Sequence, residues 1–317
     1  MNLQTIIPLK KQQHNQLDYN SKIMLFGSCF SEHIGEKFKY YKFQTTINPF
    51  GILFHPLAIE NLITKVINKD YYSKEDLHFQ NEQWCCLEAH SKLNQTTQVE
   101  LLALLNSQID ETYNQLKSAS HVVITLGTSW VYRLIESDKI VANCHKLPQK
   151  QFLKELLSVE QIAESLEAII SLVKSINSNI SFLFTVSPVR HIKDGFVENT
   201  QSKSHLLAAI HLVVEPRVQL YYFPSYEIMM DELRDYRFYK PDMLHPSNIA
   251  VDYIWKKFKT VWLTDDSIKT LEKVSSIQTR KSHRPFNPKS EAHQKFILKL
   301  QSDIQNLQSE FPFFNFD

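Results

Sequence analysis

Apolar residues in this chain gather into short runs separated by stretches with a helical repeat. Lys22–Phe26, Val122–Leu126, Ile180–Val186 and Val218–Phe223 are β-branched or aromatic-rich, and Phe43–Ile47 is a fifth run of the same kind. Such runs predict strands buried on both faces, and most are followed by the Gly, Ser or Pro of a sheet edge. Between them Ser158 and Gln161 form a capping box. Ile162, Leu166, Ile169, Val173 and Ile176 then recur at helical spacing. Ser204–Glu215 and Ile249–Lys259 also read as amphipathic helices. The alternation predicts an α/β domain over residues 20–260, with a doubly wound, mostly parallel sheet of about five strands. Sheets of this kind bind ligands at the carboxyl ends of their strands, near the switch in strand order.

Two regions break the alternation. Asp70–Asn94 is rich in Tyr, Trp, His and Cys and reads as an insertion with short strands. From Thr264 a polar stretch runs into a linker candidate, Lys281–Ser290. A helix follows that carries Phe296, Ile297, Leu300, Ile304, Leu307 and Phe311 on one face. Residues 264–317 are therefore expected to form a tail that packs, or joins copies into a homo-oligomer.

Bulk properties narrow the function. A chain of 317 residues with 43% hydrophobic content supports a sizeable core, and a net charge of +1 gives no global attraction to nucleic acid or membrane. Cys29, Cys85, Cys86 and Cys144 contain no C-x-x-C pair and imply no disulfide framework. The N-terminal residues lack a signal-peptide h-region, and no apolar run is long enough to span a bilayer, so the chain reads as soluble and cytoplasmic. Its histidines form no H-x-x-x-H or H-E-x-x-H set, so no metal is expected. Without G-x-G-x-x-G or a Walker loop, no cofactor is expected either.

The chemistry-bearing residues lie at opposite ends of this domain. Residues 23–32, IMLFGSCFSE, pass from a strand through Gly27 into small nucleophilic side chains and a helix. At such a turn, backbone N–H groups can hold an oxyanion. Residues 240–248, KPDMLHPSN, place Asp242 three residues before His245. That spacing lets the carboxylate meet Nδ1–H and leaves Nε2 to accept a proton.

The block Gly27-Ser28-Cys29-Phe30-Ser31 resembles the G-D-S-L block of SGNH-type hydrolases, and more specifically the GSCFA family, with Ser31 where the family name has alanine. Matching segments continue in order as NPFG (48–51), LGTSW (126–130), NCHKLP (143–148), SPVRH (187–191), SKS (202–204) and DMLHP (242–246). The resemblance implies a three-layer flavodoxin-like sandwich and an acyl-ester hydrolase with a nucleophile–His–Asp site. Its substrate would be an acylated carbohydrate or other small ester; an acyltransferase is the alternative. In the hydrolase register Cys29 takes the nucleophile's place and Ser28 that of the aspartate. A thiol near a helix N-terminus and a histidine is expected to have a lowered pKa. A second register keeps Ser28 as nucleophile and Cys29 as filler, and a third reading makes both small residues of a tight turn.

The same resemblance implies an oxyanion hole built from Gly51 and Gly127, with Ser129 where an asparagine donor would stand and Asn48 as a substitute. His145, Lys146, Arg190, His191 and Lys203 follow strands and are candidates for holding an anionic or hydroxyl-rich substrate. The competing class is a non-catalytic module in which Gly27–Phe30 and Arg190–His191 hold an anion without turnover.

Overall fold

Residues 5–316 are described in the structure, a computed structural model. β1 (Lys22–Gly27) turns directly into α1 (Cys29–Tyr40), and a short return leads to β2 (Gln44–Ile47). α2 (Pro56–Asn68) begins at a proline, with the His55 ring accepting the Ala58 N–H as cap. The inserted region holds an antiparallel hairpin, β3 (Leu77–Gln80) and β4 (Gln83–Cys86), as its composition suggests. After it come α3 (Gln98–Ser118) and β5 (His121–Leu126).

A second small sheet follows that the apolar pattern does not reveal. β6 (Trp130–Leu134), β7 (Lys139–Val141) and β8 (Phe152–Leu156) pair antiparallel in the order β7-β6-β8. These strands mix charged and apolar residues because they are only half covered. The main alternation then resumes with α4 (Val159–Ile176), started by the Ser158–Gln161 capping box, and β9 (Ser181–Val186). α5 (Phe196–Val213) begins well before the expected Ser204. β10 (Leu220–Tyr222) is shorter than the Val218–Phe223 run, because Pro216–Val218 forms a 3-10 turn. A short turn α6 (Ser225–Glu227) continues as a π-helical turn, Ile228–Glu232, before α7 (Asn248–Trp262).

The central sheet is parallel throughout, with five strands in the order β10-β9-β5-β1-β2. Winding reverses between β1 and β5, so the switch point lies where Gly27 pairs with Thr125. Side chains alternate across it. Met24, Phe26, Ile124, Leu126, Phe182 and Phe184 pack with α2 to α5 on one face. Ile23, Leu25, Val123 and Leu183 pack with α1 and α7 on the other. Each such fully buried side chain contributes about 1.5–3 kcal/mol.

The polar stretch from Thr264 is mostly helix: α8 (Asp265–Lys281) is capped by Thr264, whose Oγ1 accepts the Ser267 N–H at 3.2 Å. Its narrow stripe of Leu271, Val274 and Ile277 is too sparse to register against the charged residues around it. α9 (Glu291–Glu310) carries the expected apolar face. Leu300 and Leu307 bury it in the cluster that contains Tyr19, Phe38 and Phe43, so that face is covered by the chain itself. Among the described residues, no helix is long and apolar enough to cross a membrane.

Candidate functional site

The turn after β1 is fixed by backbone geometry. Gly27 has φ +130°, and a Cβ there would lie 2.1 Å from the Thr125 carbonyl oxygen, so only glycine fits. Ser28 donates its N–H to that same oxygen at 3.0 Å, and its Oγ caps α1 by accepting the Phe30 N–H at 3.3 Å. Ser28 is 0% exposed. Cys29, the first residue of α1, is partly exposed, and its N–H belongs to the unpaired amides of the first turn.

The Cys29 thiol departs from expectation. Burial pushes its pKa up and the Glu32 carboxylate adds to the rise. Lys203, its own backbone N–H and Lys240 pull the other way without overcoming them. Desolvation therefore outweighs the helix terminus, and the thiol is held protonated at neutral pH.

The acid–base loop is folded as its spacing demands. Asp242 Oδ2 meets His245 Nδ1 at 2.7 Å, while Oδ1 accepts the N–H groups of Leu244 and His245 at 2.9 and 3.0 Å. Those backbone donors, then the ring, hold the Asp242 carboxyl down at about 2. With Nδ1–H committed to the carboxylate, Nε2 is left as the proton acceptor. Burial lowers the pKa values of His33 and His191, and His245 lies near enough to both to add to the fall. Among the described residues, no hydrogen bond joins the Cys29 thiol to His245.

The expected oxyanion donors fare unevenly. The Gly51 N–H is engaged by the Asn48 carbonyl at 2.7 Å, and the Gly127 N–H by the Phe54 carbonyl at 2.8 Å, so neither is free. Ser129 is also occupied: its Oγ donates to the Ser202 carbonyl and its N–H to Ser202 Oγ. Gly127 does stand at the turn, since a Cβ there would come within 3.3 Å of the Ser28 Cβ. Asn48 is different. Its Oδ1 accepts the Gly27 N–H at 2.9 Å, which leaves Nδ2 buried with no partner. Among the described residues, unspent donors at this turn include the Cys29 N–H, Asn48 Nδ2 and Ser31 Oγ.

Of the basic candidates, Lys203 is the most constrained. It is 1% exposed and its Nζ donates to the Gly127 and Ser187 carbonyls at 2.7 and 2.8 Å, tying the ends of β5 and β9 together. Burial brings its pKa down to about 7, and the nearby Arg190 charge adds to the fall. His191 stacks edge-on against Phe54 at 5.4 Å with Nε2 unpartnered, and burial followed by the Lys203 charge drives it to about 3. Arg190 donates its backbone N–H to the Leu244 carbonyl of the acid–base loop at 3.1 Å. His145 Nε2 lies 2.8 and 2.9 Å from the Cys86 and Ala89 carbonyls, bracing the insertion, and the residue lines the cleft beside the small sheet. Lys146 is exposed beside it.

Residues 22–258 match the GSCFA family, and residues 274–317 match the C-terminal domain of GSCFA domain proteins. The chain belongs to the GSCFA family. Cys29, Asn48, Lys203, Asp242 and His245 all fall inside the first matched span. No curated protein matches the chain.

Phe54 and Asn199 lie outside the motifs of this GSCFA site, and Ser202 enters them only through the SKS segment. Phe54 accepts the N–H groups of both Gly127 and Thr128 through its carbonyl. Asn199 Oδ1 accepts the His191 N–H at 2.9 Å, and Ser202 holds Ser129. A signal for the last two exists: extending the Leu206–Ile210 stripe back by helical spacing reaches Asn199, Ser202 and Lys203. These are polar side chains on a face that should be apolar. Beside Thr128 a cleft of about 390 Å³ opens toward the small sheet, lined by Phe54, Trp130, Tyr132, Asn143, Gln149 and Phe152.

Proposed function

We propose that this chain is an acyl-ester hydrolase of SGNH type that works through a covalent acyl-enzyme on Cys29. The observation that carries the reading is the division of labour at the turn: Ser28 is wholly buried and spends its Oγ on the helix cap, whereas Cys29 is partly exposed, and the late loop supplies an Asp242–His245 pair bonded at 2.7 Å. His245 Nε2 takes the thiol proton as sulfur attacks the ester carbonyl carbon. The tetrahedral oxyanion is held by the Cys29 N–H and Asn48 Nδ2. Collapse breaks the ester C–O bond, and His245 returns its proton to the departing alcohol. Water then attacks the thioester with His245 as base, releasing the acid and restoring the thiol. Because the resting thiol is protonated, this route needs the base, and it needs His245 within hydrogen-bond reach of the sulfur or one water away.

The aromatic cleft supports a carbohydrate ester. Flat apolar rings suit a sugar's faces, and the Asn143 and Gln149 amides suit its hydroxyls. Acyl transfer shares the first half-reaction and is favoured by a second, larger groove lined in part by Asp242, Met243 and Leu244.

Cys29→Ala and Ser28→Ala, compared on a panel of activated acyl esters, test the assignment. Loss of the nucleophile is expected to cost at least about a thousandfold in turnover. Ser28→Ala is expected to lose about ten- to a hundredfold, as a lost cap and turn contact would. Iodoacetamide labelling of Cys29 should have its midpoint above the ordinary thiol value of about 8.5. Near-total loss at Ser28 with Cys29→Ala active would make serine the nucleophile. Absence of turnover together with an inert thiol would favour the binding module.

A further inference from the structure

The larger groove holds a cation without a counter-ion. It has a volume of about 670 Å³, within the range of small-molecule sites, and Arg190, Phe196, Met230, Tyr236, Tyr239 and Asp242 line it. Arg190 Nη2 meets only the Met230 sulfur, at 3.1 Å, and its Nε lies 3.5 Å from the Tyr239 hydroxyl, both weak partners for a guanidinium. Among the described residues, no carboxylate pairs with it. The other charges around the groove are spent: Arg234 on Asp231 at 2.9 Å, Asp235 on Arg237 at 2.8 Å, and Asp242 on His245. Phe196 and Tyr236 are 68% and 78% exposed, leaving apolar surface uncovered on the rim.

We infer that this groove binds the anionic end, carboxylate or phosphate, of an apolar compound, with Arg190 as the anion's fork. A guanidinium left with planar, unspent donors matches two oxygens of either group, while Phe196, Met230 and Tyr236 take the carbon chain. The groove adjoins the reacting groups. Asp242 is part of its wall, the Arg190 N–H holds the Leu244 carbonyl, and the Arg190 charge reaches buried Lys203. The inference deepens the acyl-ester reading by naming a substrate class, and it rests on that reading for the reaction though not for the binding.

Calorimetric titration with 4-phenylbutyrate, 4-phenylbutyl phosphate and neutral 4-phenylbutanamide tests it, on the parent chain and on Cys29→Ala. At least one anion should bind tenfold or more tightly than the amide, and equally in both proteins, so that a failed nucleophile assignment leaves this result untouched. Tighter carboxylate points to an acid, tighter phosphate to a phosphate ester, and equal affinity to the shared anion chemistry. Arg190→Gln, checked for native circular dichroism, should bring the preference below about twofold. Phe196→Ser, on an exposed helical turn, should weaken all three ligands threefold or more without changing their order. Overturning results are an amide that binds as well as the anions, no saturable binding of any probe, a preference that survives in folded Arg190→Gln, or affinities unmoved by Phe196→Ser.

Discussion

Replacing Lys203 by Met should change how the stability of the protein depends on pH. The lysine falls from its ordinary 10.5 to about 7 on folding, chiefly because burial penalises the charge. Between those values the unfolded chain binds a proton that the folded chain gives up, so this residue makes stability rise with pH. Below pH 7 both states are charged and the effect is flat. At about 1.4 kcal/mol per unit, the lysine's contribution should improve by about 3 kcal/mol from pH 6 to pH 9. Methionine has nothing to titrate. It also strands the Gly127 and Ser187 carbonyls, at about 1–3 kcal/mol each, but that loss is a constant offset. Thiols with raised pKa values, such as Cys85 and Cys86, are present in both proteins and cancel in the difference. Urea unfolding at pH 6, 7, 8 and 9 under reducing conditions measures it. The parent should gain on Lys203→Met steadily, and a difference that stays constant within about 0.5 kcal/mol, or shrinks with pH, would refute the reasoning.

Two further substitutions probe the turn itself. Asn48→Asp keeps an acceptor for the Gly27 N–H and removes the free amide donor. Ester turnover at pH 8 should fall about a hundred- to a thousandfold, and unchanged kcat/KM would remove Asn48 from the oxyanion site. Gly27→Ala forces a methyl against the Thr125 carbonyl at a φ that alanine resists. Its melting temperature should drop by several degrees, corresponding to about 1–3 kcal/mol, and a native melting curve would show that the turn relaxes freely.

The central sheet is legible in the sequence because its strands are buried on both faces, which forces uninterrupted runs such as Val122–Leu126 and Ile180–Val186. The antiparallel sheet of β6 to β8 is not, because strands covered on one side carry Lys154 and Glu155 as readily as Val131. α8 hides for the same reason, its buried stripe being outnumbered by charge. The Gly27–Phe30 turn and the D-x-x-H loop are local motifs, so their geometry is written in consecutive residues. The direction of the Cys29 pKa shift is not local. It depends on how much protein closes over the sulfur and on Glu32 and Lys203, which only the assembled sheet edge brings near. The roles of Gly51 and Gly127 are likewise decided by which carbonyl reaches their N–H groups. A glycine marks close backbone approach without saying who approaches.

The packing of the tail bears on when this chain can complete itself during synthesis. α1, whose first residue is Cys29, buries its Phe38 in the cluster that holds Leu300, Leu307 and Phe314. The Tyr40 carbonyl accepts from Gln278, 238 residues later. At about 5–20 residues per second, a ribosome needs roughly 12–48 s to travel from one to the other. Throughout that interval the face of α1 that meets the tail is bare. The nascent chain therefore depends on being kept from neighbours until α8 and α9 emerge, and a product stalled before them would display an apolar surface where the folded protein has a floor.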